Sequence, residues 1–136
     1  MKPNILFVDD DAALCGLLSL YFRHHGLEVT LAATVRQATD LIAEKRFQAL
    51  ILDLCLGEVD GLEVLRYVRD KNAELSVIIF TGLELDEQLV KKALASRVDG
   101  FVRKTDALPT LLNEVRRHLP KIPELTTVEA AAPNMR

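Results

Sequence analysis

The chain has 136 residues, 49% of them hydrophobic and 27% charged, with a formal net charge of −3. That length suits one domain, and the near balance of acids and bases gives no electrostatic footprint for duplex nucleic acid, which needs clustered Lys and Arg. No apolar run reaches the roughly 18 residues that span a bilayer, and the start Met1-Lys2-Pro3-Asn4 lacks the long apolar segment of a signal peptide, so a soluble, cytoplasmic protein without membrane insertion is expected.

Ile5-Leu6-Phe7-Val8 reads as a short strand that stops at Asp9, Asp10 and Asp11. Leu14, Leu17, Leu18, Tyr21 and Phe22 then recur at helical spacing and predict one broad apolar face. Gly26 is a helix stop suited to a left-handed backbone, and Leu27 to Leu31 is a second strand. Thr34 is placed to cap a second helix whose inner face is Val35, Ala38, Leu41 and Ile42. Ala49 to Leu54 is apolar except for Asp53, as expected of a parallel strand covered on both faces. Asp60-Gly61 marks a turn, and Leu62, Leu65 and Val68 predict a third helix. Ser76 to Phe80 is a fourth strand ending at Thr81-Gly82. A fourth helix carries Leu89, Val90, Ala93 and Leu94, Gly100 to Arg103 is a fifth strand, and a fifth helix carries Leu108, Leu111, Leu112, Val115 and Leu119.

Five strand-to-helix units with no room for hairpins predict a parallel sheet between helical layers. Pro120 and Pro123 end the periodic pattern, so residues 1–119 are expected to form the domain and 120–136 a flexible tail or linker. Cys15 and Cys55 form no CxxC or zinc-ligand pattern and are expected reduced and buried or half-buried. His24, His25 and His118 sit near helix ends, where surface roles are expected.

Ligands of an open parallel sheet collect at the carboxyl ends of its strands. The first strand delivers Asp9, Asp10 and Asp11 there, the third Asp53, the fourth Thr81 and the fifth Lys104. Crowded carboxylates repel one another and favour a hard divalent cation, for which magnesium with its oxygen ligands is suited. An aspartate can also accept a phosphoryl group, with Lys104 and Thr81 pairing with its oxygens. Asp11 is open to a simpler reading, as an acid at a helix start.

With Asp9-Asp10, Leu52-Asp53-Leu54, Asp60-Gly61, Thr81-Gly82 and Lys104, the sequence resembles the bacterial response-regulator receiver family over roughly residues 4–119. The resemblance implies a flavodoxin-like (βα)5 three-layer sandwich with strand order 2-1-3-4-5. It implies that Asp53 accepts a phosphoryl group from a histidine kinase or phosphotransfer protein. Asp10, Asp53 and the Cys55 carbonyl would coordinate Mg2+, with Asp9 acting mainly through a bound water. It further implies that Thr81 moves towards the phosphoryl group and Phe101 changes rotamer, altering the face made by the fourth helix, fifth strand and fifth helix. That face would carry the output to a downstream protein, to an output domain outside this chain, or to a second copy. Phe101 as a fixed core aromatic is the alternative. No direct nucleic-acid contact is expected.

The sequence departs from its relatives at several points. Gly57 stands where the family usually has proline, and Thr105 follows Lys104 where many members have a cis proline, so a trans bond is expected there. The interval from Thr81 to Lys104 is about one residue longer than usual, near Ser96-Arg97-Val98. Cys55 and Leu83 flank the expected pocket without a carboxylate or amide to orient water, which implies slow self-dephosphorylation. Two other functions stay open at this level: a phosphorylation-independent interaction domain, if Gly57 and Thr105 distort the pocket, and a metal-dependent phosphatase using Asp53 as nucleophile.

Overall fold

The computed structural model describes residues 2–57, 59–72, 74–82 and 87–119, with only the backbone of residues 59 and 60. Leu83, Pro120, Pro123 and the rest of the tail lie outside the described residues. Five strands form one parallel sheet: β1 (Asn4–Val8), β2 (Glu28–Ala32), β3 (Ala49–Leu52), β4 (Ser76–Thr81) and β5 (Gly100–Arg103). Their order is β2-β1-β3-β4-β5, as the resemblance implied. The helices are α1 (Ala12–His24), α2 (Val35–Glu44), α3 (Leu62–Lys71), α4 (Glu87–Ala95) and α5 (Leu108–Arg117).

Alternation along the strands divides the core in two, because successive side chains leave a sheet on opposite faces. Ile5, Phe7, Ala49, Ile51, Ile78 and Phe80 pack with Leu18 and Phe22 of α1 and Leu111 and Val115 of α5. Leu6, Val8, Leu50, Leu52, Val77 and Ile79 pack with Ala38 of α2, Leu65 and Val68 of α3 and Ala93 of α4. Strands β1 and β3 are buried along nearly their whole length, which explains why they read as unbroken apolar runs.

Local signals fix the ends of elements. Asp11 caps α1 by accepting from Leu14 N at 3.1 Å, a more specific role than the favourable helix charge expected of it. Thr34 caps α2 by accepting from Gln37 N at 3.1 Å. Gly26 takes φ +87° and turns the chain from α1 into β2.

The structure corrects four expectations. Leu17 is 58% exposed, because α1 turns Cys15, Leu18, Ser19 and Phe22 to the sheet and leaves Leu17 and Leu20 outside. Strand β3 stops at Leu52, so Asp53 stands just beyond the ladder. A hairpin does occur: Cys55–Leu56 pairs antiparallel with Val59–Asp60, placing Asp60 in a short ladder beside the turn. Cys15 is buried as expected, whereas Cys55 is exposed. No described peptide bond is cis, so the Lys104–Thr105 bond is trans as expected.

Candidate functional site

Strand order reverses direction around β1, whose neighbours are β2 on one side and β3 on the other. A crevice forms at such a switch point, beyond the carboxyl ends of the strands. Asp9 and Asp53 emerge there side by side: Val8 pairs with Leu52, and Asp53 N donates to Val8 O at 3.0 Å. Thr81 ends β4 opposite Arg103, and Lys104 N donates to Thr81 O at 2.7 Å. Backbone pairing alone therefore carries the acids, the hydroxyl and the amine to one end of the sheet.

The side chains meet as the strand ends suggested. Carboxylate oxygens of Asp9, Asp10 and Asp53 all lie within 4.8 Å of one another. Asp53 is buried; its Oδ1 accepts from Cys55 N at 3.1 Å and Thr81 Oγ1 at 3.4 Å, and its Oδ2 accepts from Lys104 Nζ at 2.8 Å. The Thr81 bond is long for a hydroxyl donor, so little is lost when it breaks. Asp9 is fully buried, with Oδ1 accepting from Asp11 N at 2.9 Å. Its Oδ2 lies 2.7 Å from Lys104 Nζ but receives no well-directed hydrogen bond. Asp10 is exposed.

Charge and burial oppose each other here. Burial pushes the Asp9 carboxyl above its usual range, against the pull of Lys104 and the Asp11 N–H, and the nearby Asp53 charge pushes the same way as burial. Burial alone would depress Lys104; its hydrogen bond to Asp53 and its close pairing with the Asp9 carboxylate outweigh it and hold the ammonium above its ordinary value. Two buried carboxylates, Asp9 and Asp53, thus share one lysine with Asp10 beside them, and Asp9 Oδ2 is left without a well-directed donor. That donor set fits a divalent cation, with hard oxygen ligands and surplus negative charge. Cys55 belongs to the site through its N–H, and the thiol of Cys55 is outside the acid cluster.

Phe101 is 39% exposed and so stands outside the buried core in this state. Two contributions were not legible from spacing. Cys15 Sγ donates to Asp9 O at 3.4 Å, tying α1 to the acid-bearing turn. Gly61 N donates to Leu54 O at 2.7 Å, bringing the start of α3 onto the chain that leaves Asp53. For Gly61 the available signal was the Asp-Gly pair, which by itself says only turn.

The family model described as "Response regulator receiver domain" matches residues 5–116. The chain belongs to that family. It is 35% identical over 116 residues to the response regulator MprA of Mycolicibacterium vanbaalenii, covering 85% of this chain and 50% of that protein. It therefore spans about half the length of that relative. Among solved structures, a response regulator receiver protein from Pseudomonas putida is 27% identical with a TM-score of 0.79, covering 86% of this chain and 98% of that one. The response regulator TrrA from Thermotoga maritima, solved in complex with Mg(2+)-BeF, is 25% identical with a TM-score of 0.77, covering 88% and 100%.

This is a phosphorylation-controlled receiver domain of the two-component type, with an aspartate cluster positioned for phosphotransfer. Its chemistry is phosphorylation and dephosphorylation at that cluster, not the turnover of a metabolite. Among the described residues no helix is long and apolar enough to cross a membrane.

Proposed function

We propose that Asp53 is the phosphoryl acceptor and that residues 1–119 are the receiver, with 120–136 a tail or a linker to an output domain. The donor is a phosphohistidine on a histidine kinase or phosphotransfer protein, encountered in the cytoplasm. A carboxylate oxygen of Asp53 forms the new P–O bond as the P–N bond breaks, and the imidazole leaves with the bonding electron pair. Asp10, Asp53 and the Cys55 carbonyl, with Asp9 beside them, would hold Mg2+. When bound, the ion supplies positive charge against the phosphoryl oxygens.

This chain's own residues do the rest. Lys104, already 2.8 Å from Asp53 Oδ2, keeps its charge and pairs with a phosphoryl oxygen. Thr81 gives up its 3.4 Å bond to Asp53 Oδ1 and donates to another phosphoryl oxygen. Its movement biases α4, β5 and α5, where Leu94 and Phe101 are exposed for an output partner or a second copy. Slow self-dephosphorylation follows from the side chains of Cys55 and Leu83, which cannot orient water as a carboxylate or amide would.

The observation that carries this reading is the meeting of three carboxylates with Lys104 and Thr81 around Asp53. It is tested by intact mass after incubation with Mg2+ and phosphoramidate. Wild type should gain one phosphoryl group and Asp53→Asn none. Equal labelling of both would refute the assignment.

A further inference from the structure

Gly61 has φ −73° and ψ −2°, an ordinary right-handed conformation open to any residue. Its glycine is needed for space. A Cβ there would overlap the carbonyl oxygen of Asp53 and come within 3.1 Å of Leu54 Cα and 3.3 Å of the Asp53 carbonyl carbon. All three are backbone atoms, so no side-chain rotation relieves the overlap. The other glycines at turns differ: a Cβ on Gly57 meets only Asp10 Oδ2 at 3.7 Å, and one on Gly26 meets nothing within 4 Å.

We propose that Gly61 is a positioning residue for the phosphorylation site: lacking a side chain, it seats the start of α3 directly on the peptide of Asp53 and so aims the Asp53 carboxylate. The inference rests on Asp53 being the acceptor. Gly61 N donates to Leu54 O at 2.7 Å, while Gly61 O accepts from Val64 N at 3.0 Å and Leu65 N at 3.3 Å. The glycine thereby joins α3 to the segment just past β3. Helix α3 is anchored by Leu62, Val64, Leu65 and Val68, all buried, and cannot retreat without opening the core. The side that can give is the Asp53–Leu54 peptide, past the last residue of β3 and tied to β1 through Asp53 N donating to Val8 O. An added methyl group therefore displaces Asp53, and with it the bonds to Cys55 N, Thr81 Oγ1 and Lys104 Nζ.

The test compares Gly61→Ala with Gly26→Ala in the full chain. Gly26→Ala is strained through its positive φ, at the opposite end of α1 from the acids, and controls for lost stability. Both are assayed in trimethylamine N-oxide, which favours the folded chain. Two readouts are taken: the rate of phosphoryl gain from phosphoramidate and Mg2+, and the NMR shift of the Cys55 amide with and without Mg2+. Gly61→Ala should slow phosphorylation by about tenfold or more, as displaced reacting groups do. It should also shift the Cys55 amide before any Mg2+ is added and weaken its response to the ion. Gly26→Ala should match wild type in both. A wild-type rate and Cys55 shift in Gly61→Ala would overturn the proposal, as would equal slowing in Gly26→Ala. Failure of wild type itself to gain a phosphoryl group would refute Asp53 as acceptor, and the Cys55 amide would still decide whether Gly61 positions that segment.

Discussion

Asp9 shows what the site asks of a single residue. It is fully buried and its carboxyl is pushed upward, so the folded chain holds the Asp9 proton more tightly than the unfolded chain does. Stability from such a group is fully present below the ordinary value of 3.8 and is lost as pH rises through the higher folded value. At neutral pH the ionised form is a cost, offset in part by Lys104. Asp9→Asn should therefore raise the melting temperature at pH 7 in chelator; an unchanged or lower value would show that the Lys104 pairing outweighs burial. Cys15 works in the same direction: burial, with Asp9 and Asp11 nearby, pushes its thiol from 9.0 up to about 11. The stability linked to that thiol is present below 9.0 and fades as pH rises through about 11. At pH 8 a thiol reagent should label exposed Cys55 quickly and Cys15 only after denaturant is added. Two equal fast reactions in the native protein would contradict this.

Elements are held to one another mostly by apolar packing, and a polar clamp lies at the end of the sheet away from the acids. Arg69 of α3 donates to Leu75 O at 2.7 Å, to Arg97 O at 2.8 and 3.0 Å, and to Asp99 Oδ2 at 3.3 Å. Asp99 also accepts from Val77 N at 2.8 Å, so one ion pair joins α3, the start of β4 and the chain between α4 and β5. The Arg69 and Asp99 side chains are each only 16% exposed, so loss of the arginine takes a donor from the Leu75 and Arg97 carbonyls and leaves Asp99 to Val77 N and Arg97. Arg69→Ala should lower unfolding free energy by about 2–3 kcal/mol in urea titration. A loss of a few tenths would place this pair with ordinary surface bridges.

At the scale of the whole molecule, the fold gathers three carboxylates at one end of a sheet whose inner strands are mostly apolar. Binding of a cation to the folded state alone stabilises it by mass action, by about 2.7 kcal/mol at a concentration near 100 times Kd. Urea unfolding in saturating Mg2+ should shift to higher midpoint than in chelator, and Asp53→Asn should shrink the difference. The same midpoint in both buffers would remove the proposal that these acids hold the ion.

Much of this was legible in the sequence because it rests on periodicity and on order along the chain. Apolar runs alternating with helical spacing give five strand-to-helix units, and a strand that stops at an acid must present that acid at its carboxyl end. Asp9, Asp53, Thr81 and Lys104 could therefore be assigned to one end of the sheet before any contact was seen. The resemblance supplied the strand order that periodicity cannot. Tertiary structure alone decided which face each helix turns inward, leaving Leu17 and Leu94 outside, because an apolar stripe wider than the contact does not say which edge is buried. It alone showed the Arg69 clamp, whose partners are distant in sequence. It alone gave Asp9 an oxygen without a well-directed donor, and it gave Gly61 a reason other than turning the chain. A sequence states which residues can reach a place, whereas the room left between two backbones exists only once both are packed.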